Sequence, residues 1–291
     1  MGNIFAFLLR NDNIEFNLEK EEVVSNPIEE FENINVLFSK TNSKKKAILI
    51  GVNYTQDKNS NDDLYGCEND MNNLKKWIKD KCYFNENAII TLDSKNSTKN
   101  KIINELSYMV EYAHININSE LWLSYSGHGT YVNSTEESDN RMEGICPSDY
   151  LQSGIITDDY LNREFISKLP THAKLFILMD CCHSGSNMDL PFYYKNINTI
   201  EKREDIKNIP RATIIKLSGC LDRQVSIDYF NKYANQYQGA FTNSFIETFS
   251  NVNMIDSVLN INDDLRKKDF EQISELSLSS LTAWDYKLNE N

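Results

Sequence analysis

Short apolar runs set the rhythm of this chain. They fall at 47–50, 88–92, 121–123, 175–179 and 212–217. Runs of this length are too short for helices and suit buried strands of a parallel sheet. The stretches between them repeat their apolar positions at helical spacing. Residues 68–82 put Met71, Leu74 and Ile78 on one side, and 98–117 follow a helix-capping Ser97 or Thr98. Further helices are expected over 157–168, 239–250 and 256–272, with polar loop between 130 and 144. The alternating segment 274–279 reads as an edge strand. Strands alternating with helices predict a doubly wound, largely parallel α/β sheet. Residues 1–43 are acidic and Asn-rich, with room for one short helix over 14–24. Residues 191–210 are polar and carry Lys195, Lys202, Arg203 and Lys207, the pattern of an exposed connection.

Composition narrows the function. A chain of 291 residues with 40% hydrophobic positions can bury a full core. Its formal net charge of −13, without a basic stripe, argues against nucleic acid and anionic membrane as partners. The longest N-terminal apolar run, Ile-Phe-Ala-Phe-Leu-Leu at 4–9, is far short of a bilayer span. The first residues begin like a myristoylation signal but place Ala6 where Ser or Thr is required. Six cysteines, at 67, 82, 146, 181, 182 and 220, lack a disulfide-framework spacing. A reducing, cytoplasmic compartment is therefore expected.

Two strand ends carry the chemistry. The run at 175–179 leads into Asp-Cys-Cys-His-Ser-Gly at 180–185, and the run from Leu121 leads into Ser-Tyr-Ser-Gly-His-Gly at 124–129. Open α/β sheets place their sites beyond the carboxyl ends of strands. A thiol attacks as thiolate and needs a base, and His128 can serve. Gly127, Gly129 and Gly185 allow tight turns and close approach of a substrate. Buried core cysteines with a satisfied loop histidine are the plain alternative. Two such motifs on neighbouring strands favour the catalytic one. A zinc site lacks the usual gap between cysteine ligands. Sequence physics does not choose between Cys181 and Cys182, although period-two alternation puts Asp180 and Cys182 on one face if the strand continues.

These motifs resemble the metacaspases, caspase-fold cysteine peptidases. Three more segments share the resemblance: Ala-Ile-Leu-Ile-Gly-Val-Asn-Tyr at 47–54 with Leu-Tyr-Gly-Cys-Glu-Asn-Asp at 64–70; Ile-Cys-Pro-Ser-Asp at 145–149 with Ile-Ile-Thr-Asp-Asp at 155–159; and the segment 217–228. The resemblance spans roughly 44–285. It implies a caspase-like three-layer α/β sandwich, a mostly parallel sheet with helices on both faces. It divides the chain into an extension at 1–43, a large-subunit-like part at 44–190, a linker at 191–210 and a small-subunit-like part at 211–291. It further implies Cys182 as nucleophile, His128 as base, and the N–H groups of Gly129 and Cys182 as the oxyanion hole. Cys67, Asp70, Ser126 and Asp180 would form the specificity pocket, with Asp222 a weaker addition. Carboxylates in a narrow pocket select a Lys or Arg side chain before the scissile bond.

The resemblance also brings an expectation of calcium. Asp158, Asp159 and Asp189 match acids of calcium-dependent members, and carboxylates are the ligands calcium takes. A fourth acid is replaced by Met142, and Glu143 is its substitute. Asp158 and Asp159 fit a helix start equally well. The short linker resembles the type I arrangement without its long N-terminal region. Self-cleavage in the basic linker, protein substrates and a monomeric state are expected. A catalytically silent scaffold of the same fold is the rival reading.

Overall fold

The computed structural model describes residues 44–55, 63–133, 141–181, 188, 190–196, 199–203, 206, 208–219, 227–249 and 254–280. Its strands are β1 (Lys45–Gly51), β2 (Ile89–Leu92), β3 (Glu120–Ser126), β4 (Gly129–Asn133), β5 (Arg141–Ile145), β6 (Ile156–Thr157), β7 (Lys174–Asp180), β8 (Phe192–Asn196), β9 (Thr199–Lys202), β10 (Thr213–Ser218), β11 (Asp228–Asn231), β12 (Gln236–Gly239) and β13 (Glu275–Leu278). The helices are α1 (Cys67–Cys82), α2 (Lys99–Ile115), α3 (Tyr150–Ser153), α4 (Asp158–Tyr160), α5 (Ala240–Thr248) and α6 (Met254–Lys267).

Eight strands form one sheet in the order β2-β1-β3-β7-β10-β13-β8-β9. The first five run parallel; β13, β8 and β9 add antiparallel pairs. Alternation along the strands divides the core between two faces. Ile48 and Ile50 of β1, with Leu121 and Leu123 of β3, pack on α2 through Ile102, Leu106 and Met109. Ala47 and Leu49, with Trp122, Phe176 and Leu178, pack on the other side. There α1 contributes Leu74 and Trp77, α5 Phe241 and Phe245, and α6 Val258 and Ile261. Helices therefore cover both faces, and the architecture is the expected three-layer α/β sandwich.

Several local expectations change. The polar stretch after His128 is not all loop: β4, β5 and β6 form a separate small antiparallel sheet. The helix expected over 157–168 is present but irregular: α4 runs directly into a π-helical turn at Leu161–Phe165 and a 3-10 turn at Ile166–Lys168. The alternating segment near 275 is interior rather than edge: β13 lies between β10 and β8 and is buried throughout. Its serines have partners there, as Ser279 Oγ donates to Ala212 O at 2.9 Å, so a polar face does not require solvent. The expected exposed connection supplies β8 and β9 at the sheet end. Arg203 there pairs with Glu275 at 3.8 Å and lies 5.1 Å over the Tyr193 ring.

Candidate active site

The parallel register brings Gly51, Ser126 and Asp180 side by side at the carboxyl edge of β1, β3 and β7. Helix α1 starts against this edge. A β-carbon on Gly51 would lie 2.3 Å from the Cys67 carbonyl oxygen, so a side chain there would push the helix away. That close approach carries Cys67 and Asp70 down to the strand ends. Asp70 is fully buried and Asp180 nearly so.

Two carboxylates share this enclosure. Ser126 Oγ donates to Asp70 Oδ2 at 2.8 Å, and the Gly239 N–H reaches both Asp70 oxygens at 3.0 Å. Asp180 Oδ2 accepts from the N–H of Thr242 at 3.0 Å and from its hydroxyl at 2.7 Å. Gly239 stands between them: a β-carbon there would lie 2.3 Å from Asp180 Oδ2 and 2.8 Å from Asp70 Oδ2. Burial, and then the Asp180 charge, push the Asp70 carboxyl well above the ordinary carboxylate range. The Cys67 thiol is raised in the same way, by burial first and Asp70 second. Cys67, Asp70, Ser126 and Asp180 thus lie together as one buried acidic group.

Gly239 and Thr242 were not evident in the sequence. They come from the start of α5, more than fifty residues beyond Asp180, and nothing local marks them. Asp228 ends the segment 217–228, but its role shows only in the structure. It accepts from the N–H of Tyr65 at 2.7 Å and of Gly66 at 3.3 Å, so the side chain of β11 caps the start of α1.

His128 follows β3 directly and is half-buried, with its ring against Tyr54 at a centroid distance of 4.6 Å. Gly129 opens β4 opposite Ile145. Among the described residues neither Gly127 nor Gly129 has a positive φ. Space, not backbone conformation, requires Gly127. Its β-carbon would lie 2.7 Å from Tyr125 Oη and 2.9 Å from Tyr54 Oη. Cys181 is fully buried in the core on the α2 side of the sheet, away from the acidic group. Cys182 and Gly185 lie outside the described residues, as do Cys220, Asp222 and Asp189.

The acids expected to bind calcium meet only in part. Asp158 and Asp159 form the first turn after the Thr157 cap, and Asp158 Oδ1 accepts the Asp159 N–H at 2.9 Å. Glu143 is buried on β5, one residue before Gly144, which pairs with Thr157. Among the described residues no three His, Cys, Asp or Glu side chains are grouped to hold a metal ion. Asp158, Asp159 and Glu143 are therefore not gathered as a metal site, and Asp189 lies outside the described residues.

A three-layer α/β sandwich with a histidine beyond one central strand and a cysteine segment beyond its neighbour defines the class of caspase-fold cysteine peptidases. Residues 45–191 match the family described as metacaspase, peptidase C14 domain, and the chain belongs to that family. It is 29% identical over 267 residues to metacaspase-2 of Trypanosoma brucei brucei, covering 82% of this chain and 74% of that one. It is 28% identical over 314 residues to metacaspase-1 of Meyerozyma guilliermondii, covering 88% and 75%. Metacaspase-2 of Arabidopsis thaliana is 30% identical over 220 residues, covering 70% and 51%. A crystallised protein from Geobacter sulfurreducens shares the fold, with a TM-score of 0.59 at 22% identity over 80% of this chain and 92% of that one. The protein is a cysteine-type peptidase whose substrates are proteins. Among the described residues no helix is long and apolar enough to cross a membrane.

Proposed function

We propose that this peptidase cuts after Lys or Arg, and that Asp70 and Asp180 receive the cationic side chain. The observation that carries the reading is the enclosure shared by two buried carboxyl groups, Asp70 and Asp180, which take neutral donors from Ser126, Gly239 and Thr242. Two carboxylates in one enclosure repel each other, and a guanidinium or ammonium between them relieves that repulsion. Cys67 and Ser126 complete the pocket wall.

His128 takes the proton of Cys182, and the thiolate attacks the carbonyl of the bond after the basic residue. The N–H groups of Gly129 and Cys182 hold the oxyanion. The imidazolium then protonates the leaving amine, and water hydrolyses the acyl-enzyme. Cys181 takes no part: its place is the apolar core of the opposite face.

Calcium would stimulate the enzyme, held by Asp158, Asp159, Asp189 and Glu143, and its positive charge would neutralise these acids. Self-cleavage falls within 191–210, at a basic residue other than Arg203, whose guanidinium is engaged by Glu275 and Tyr193.

The test is hydrolysis of an Arg-ended fluorogenic peptide with and without calcium. Cys182→Ala and His128→Ala are expected to lose activity by about 10⁴-fold or more, while Cys181→Ala keeps a substantial fraction. Turnover by Cys182→Ala at the wild-type rate would overturn the assignment. Full activity in excess chelator, unchanged by Asp159→Ala, would remove calcium.

A further inference from the structure

Tyr54 is the least comfortable residue near the site. Its φ is 60°, a left-handed conformation that a bulky side chain adopts only under strain. Strain of this kind persists where the surroundings demand it, and it gathers at functional positions. Here it sets the phenol ring against the His128 imidazole, 4.6 Å between centroids and inclined by 31°. Tyr150 meets the same Tyr54 ring edge-on at 5.8 Å and 90°.

The hydroxyl of Tyr54 meets that of Tyr125 from β3 at 2.9 Å. Together they form a crossed bracket on two backbone segments. Tyr54 Oη accepts the His128 N–H at 3.0 Å and donates to Cys146 O at 2.6 Å. Tyr125 Oη donates to His128 O at 2.8 Å and accepts the Cys146 N–H at 3.2 Å. Tyr125 Oη also lies 2.9 Å from Cys146 O, so its one proton is shared between that carbonyl and His128 O. The Cys146 N–H also reaches His128 O directly at 3.0 Å, so the two phenols close around a backbone bond between the segments. Cys146 belongs to the strand pair that continues from Gly129, so the bracket also fixes the entry to the small sheet.

Tyr54 is 5% exposed and Tyr125 1% exposed. Burial raises both phenols well above their usual range, so each keeps the proton the bracket needs. The bracket also accounts for the first glycine of the Gly-His-Gly motif, because a β-carbon on Gly127 would strike both hydroxyls.

We infer that Tyr54 and Tyr125 are positioning residues for the His128 imidazole, Tyr54 through ring and hydroxyl and Tyr125 through hydroxyl alone. This rests on His128 being the base. Both phenols are spent on the backbone of 128 and 146. Their loss therefore blurs the alignment of base and thiol without weakening substrate binding.

The experiment measures kcat and KM on an Arg-ended peptide for wild type, Tyr54→Phe, Tyr54→Leu, Tyr125→Phe and His128→Ala, with thermal melting of each. Tyr54→Phe keeps the ring and is expected to lower kcat about tenfold; Tyr54→Leu loses ring and hydroxyl and lowers it about a hundredfold, the scale of a small misplacement. KM stays within about twofold, since uniform binding is untouched. Should Tyr54→Leu fail to fold, Tyr54→Phe and Tyr125→Phe carry the same comparison. Wild-type kcat in folded Tyr54→Phe and Tyr125→Phe, or a raised KM at unchanged kcat, would overturn the bracket while an inactive His128→Ala leaves the base intact. A fully active His128→Ala would instead overturn the base, and the bracket with it.

Discussion

The two ends of the same central strands treat buried charge in opposite ways. At the amino end Lys45 of β1 stands in register with Glu120 of β3, and their charged atoms lie 3.6 Å apart. The ammonium also reaches Cys82 O at 2.5 Å and lies over the rings of Tyr83 and Phe84 at 5.8 and 5.4 Å. At the carboxyl end two carboxyl groups, Asp70 and Asp180, share one enclosure. The opposite-charge pair holds the fold together; two like groups in one enclosure repel, and a cation between them relieves that repulsion. The first closes the base of the sheet, and the second is what marks the proposed pocket.

Breaking the matched pair is expected to have the largest effect on stability. Glu120→Leu strands a buried ammonium and should cost ~3–5 kcal/mol. Chemical denaturation checks this, and peptide turnover by the folded fraction should be unchanged. Adding Lys45→Met to that variant should restore most of the loss, because replacing both charges by apolar groups is close to neutral.

The carboxyl pair should behave the other way. Asp70→Asn is expected to lose ~2–5 kcal/mol of transition-state binding for Arg-ended peptides, the cost of removing one partner of a desolvated pair. Its folded state should be more stable than wild type at neutral pH. The sign follows from the raised Asp70 carboxyl: the folded protein holds that proton after the unfolded chain has lost it. The stability this group contributes is full below about pH 4, the ordinary Asp range, and is lost as pH rises through its folded value. The advantage of Asp70→Asn in melting temperature should therefore be absent below about pH 4 and grow toward pH 7. An advantage that is constant from pH 3 to pH 8 would show that Asp70 titrates normally. A smaller effect is expected of Thr242→Val. It loses one hydroxyl bond to Asp180 and should weaken Arg-ended substrates by ~1 kcal/mol, while Thr242→Ser retains wild-type turnover.

Much of this arrangement is legible in the chain, for identifiable reasons. The strands that carry Asp180 and His128 are continuous apolar runs, and α1 and α2 keep helical spacing over several turns. Burial on both faces leaves such segments no other structure. The 191–210 region misled because β8 and β9 are polar strands at the end of the sheet, where one face and one edge meet water. Strand β13 misled because its polar positions find partners in the interior: Ser277 Oγ donates to Glu275 Oε1, and Ser279 just beyond donates to Ala212 O. In the candidate site, Cys67, Asp70, Ser126 and Asp180 stand in recognisable motifs. Gly239 and Thr242 do not, and Asp228, though it ends the segment 217–228, shows no sign there of its role, since all three depend on α5 and β11 folding back over the strand ends. The phenols of Tyr54 and Tyr125 lie inside quoted motifs, yet only coordinates disclose that their hydroxyls cross.

The central claim is that the carboxyl pair selects a cation. The most direct measurement compares hydrolysis of peptides differing only in the residue before the scissile bond, with Arg, Lys, Gln and Asp, by wild type and Asp180→Asn. Arg and Lys peptides should be cut by wild type at least ~100-fold faster than Gln, with Asp uncut, and Asp180→Asn should narrow the Arg-to-Gln ratio by tenfold or more. Equal turnover of Arg and Gln peptides by wild type, or an Arg-to-Gln ratio untouched by Asp180→Asn, would contradict the account.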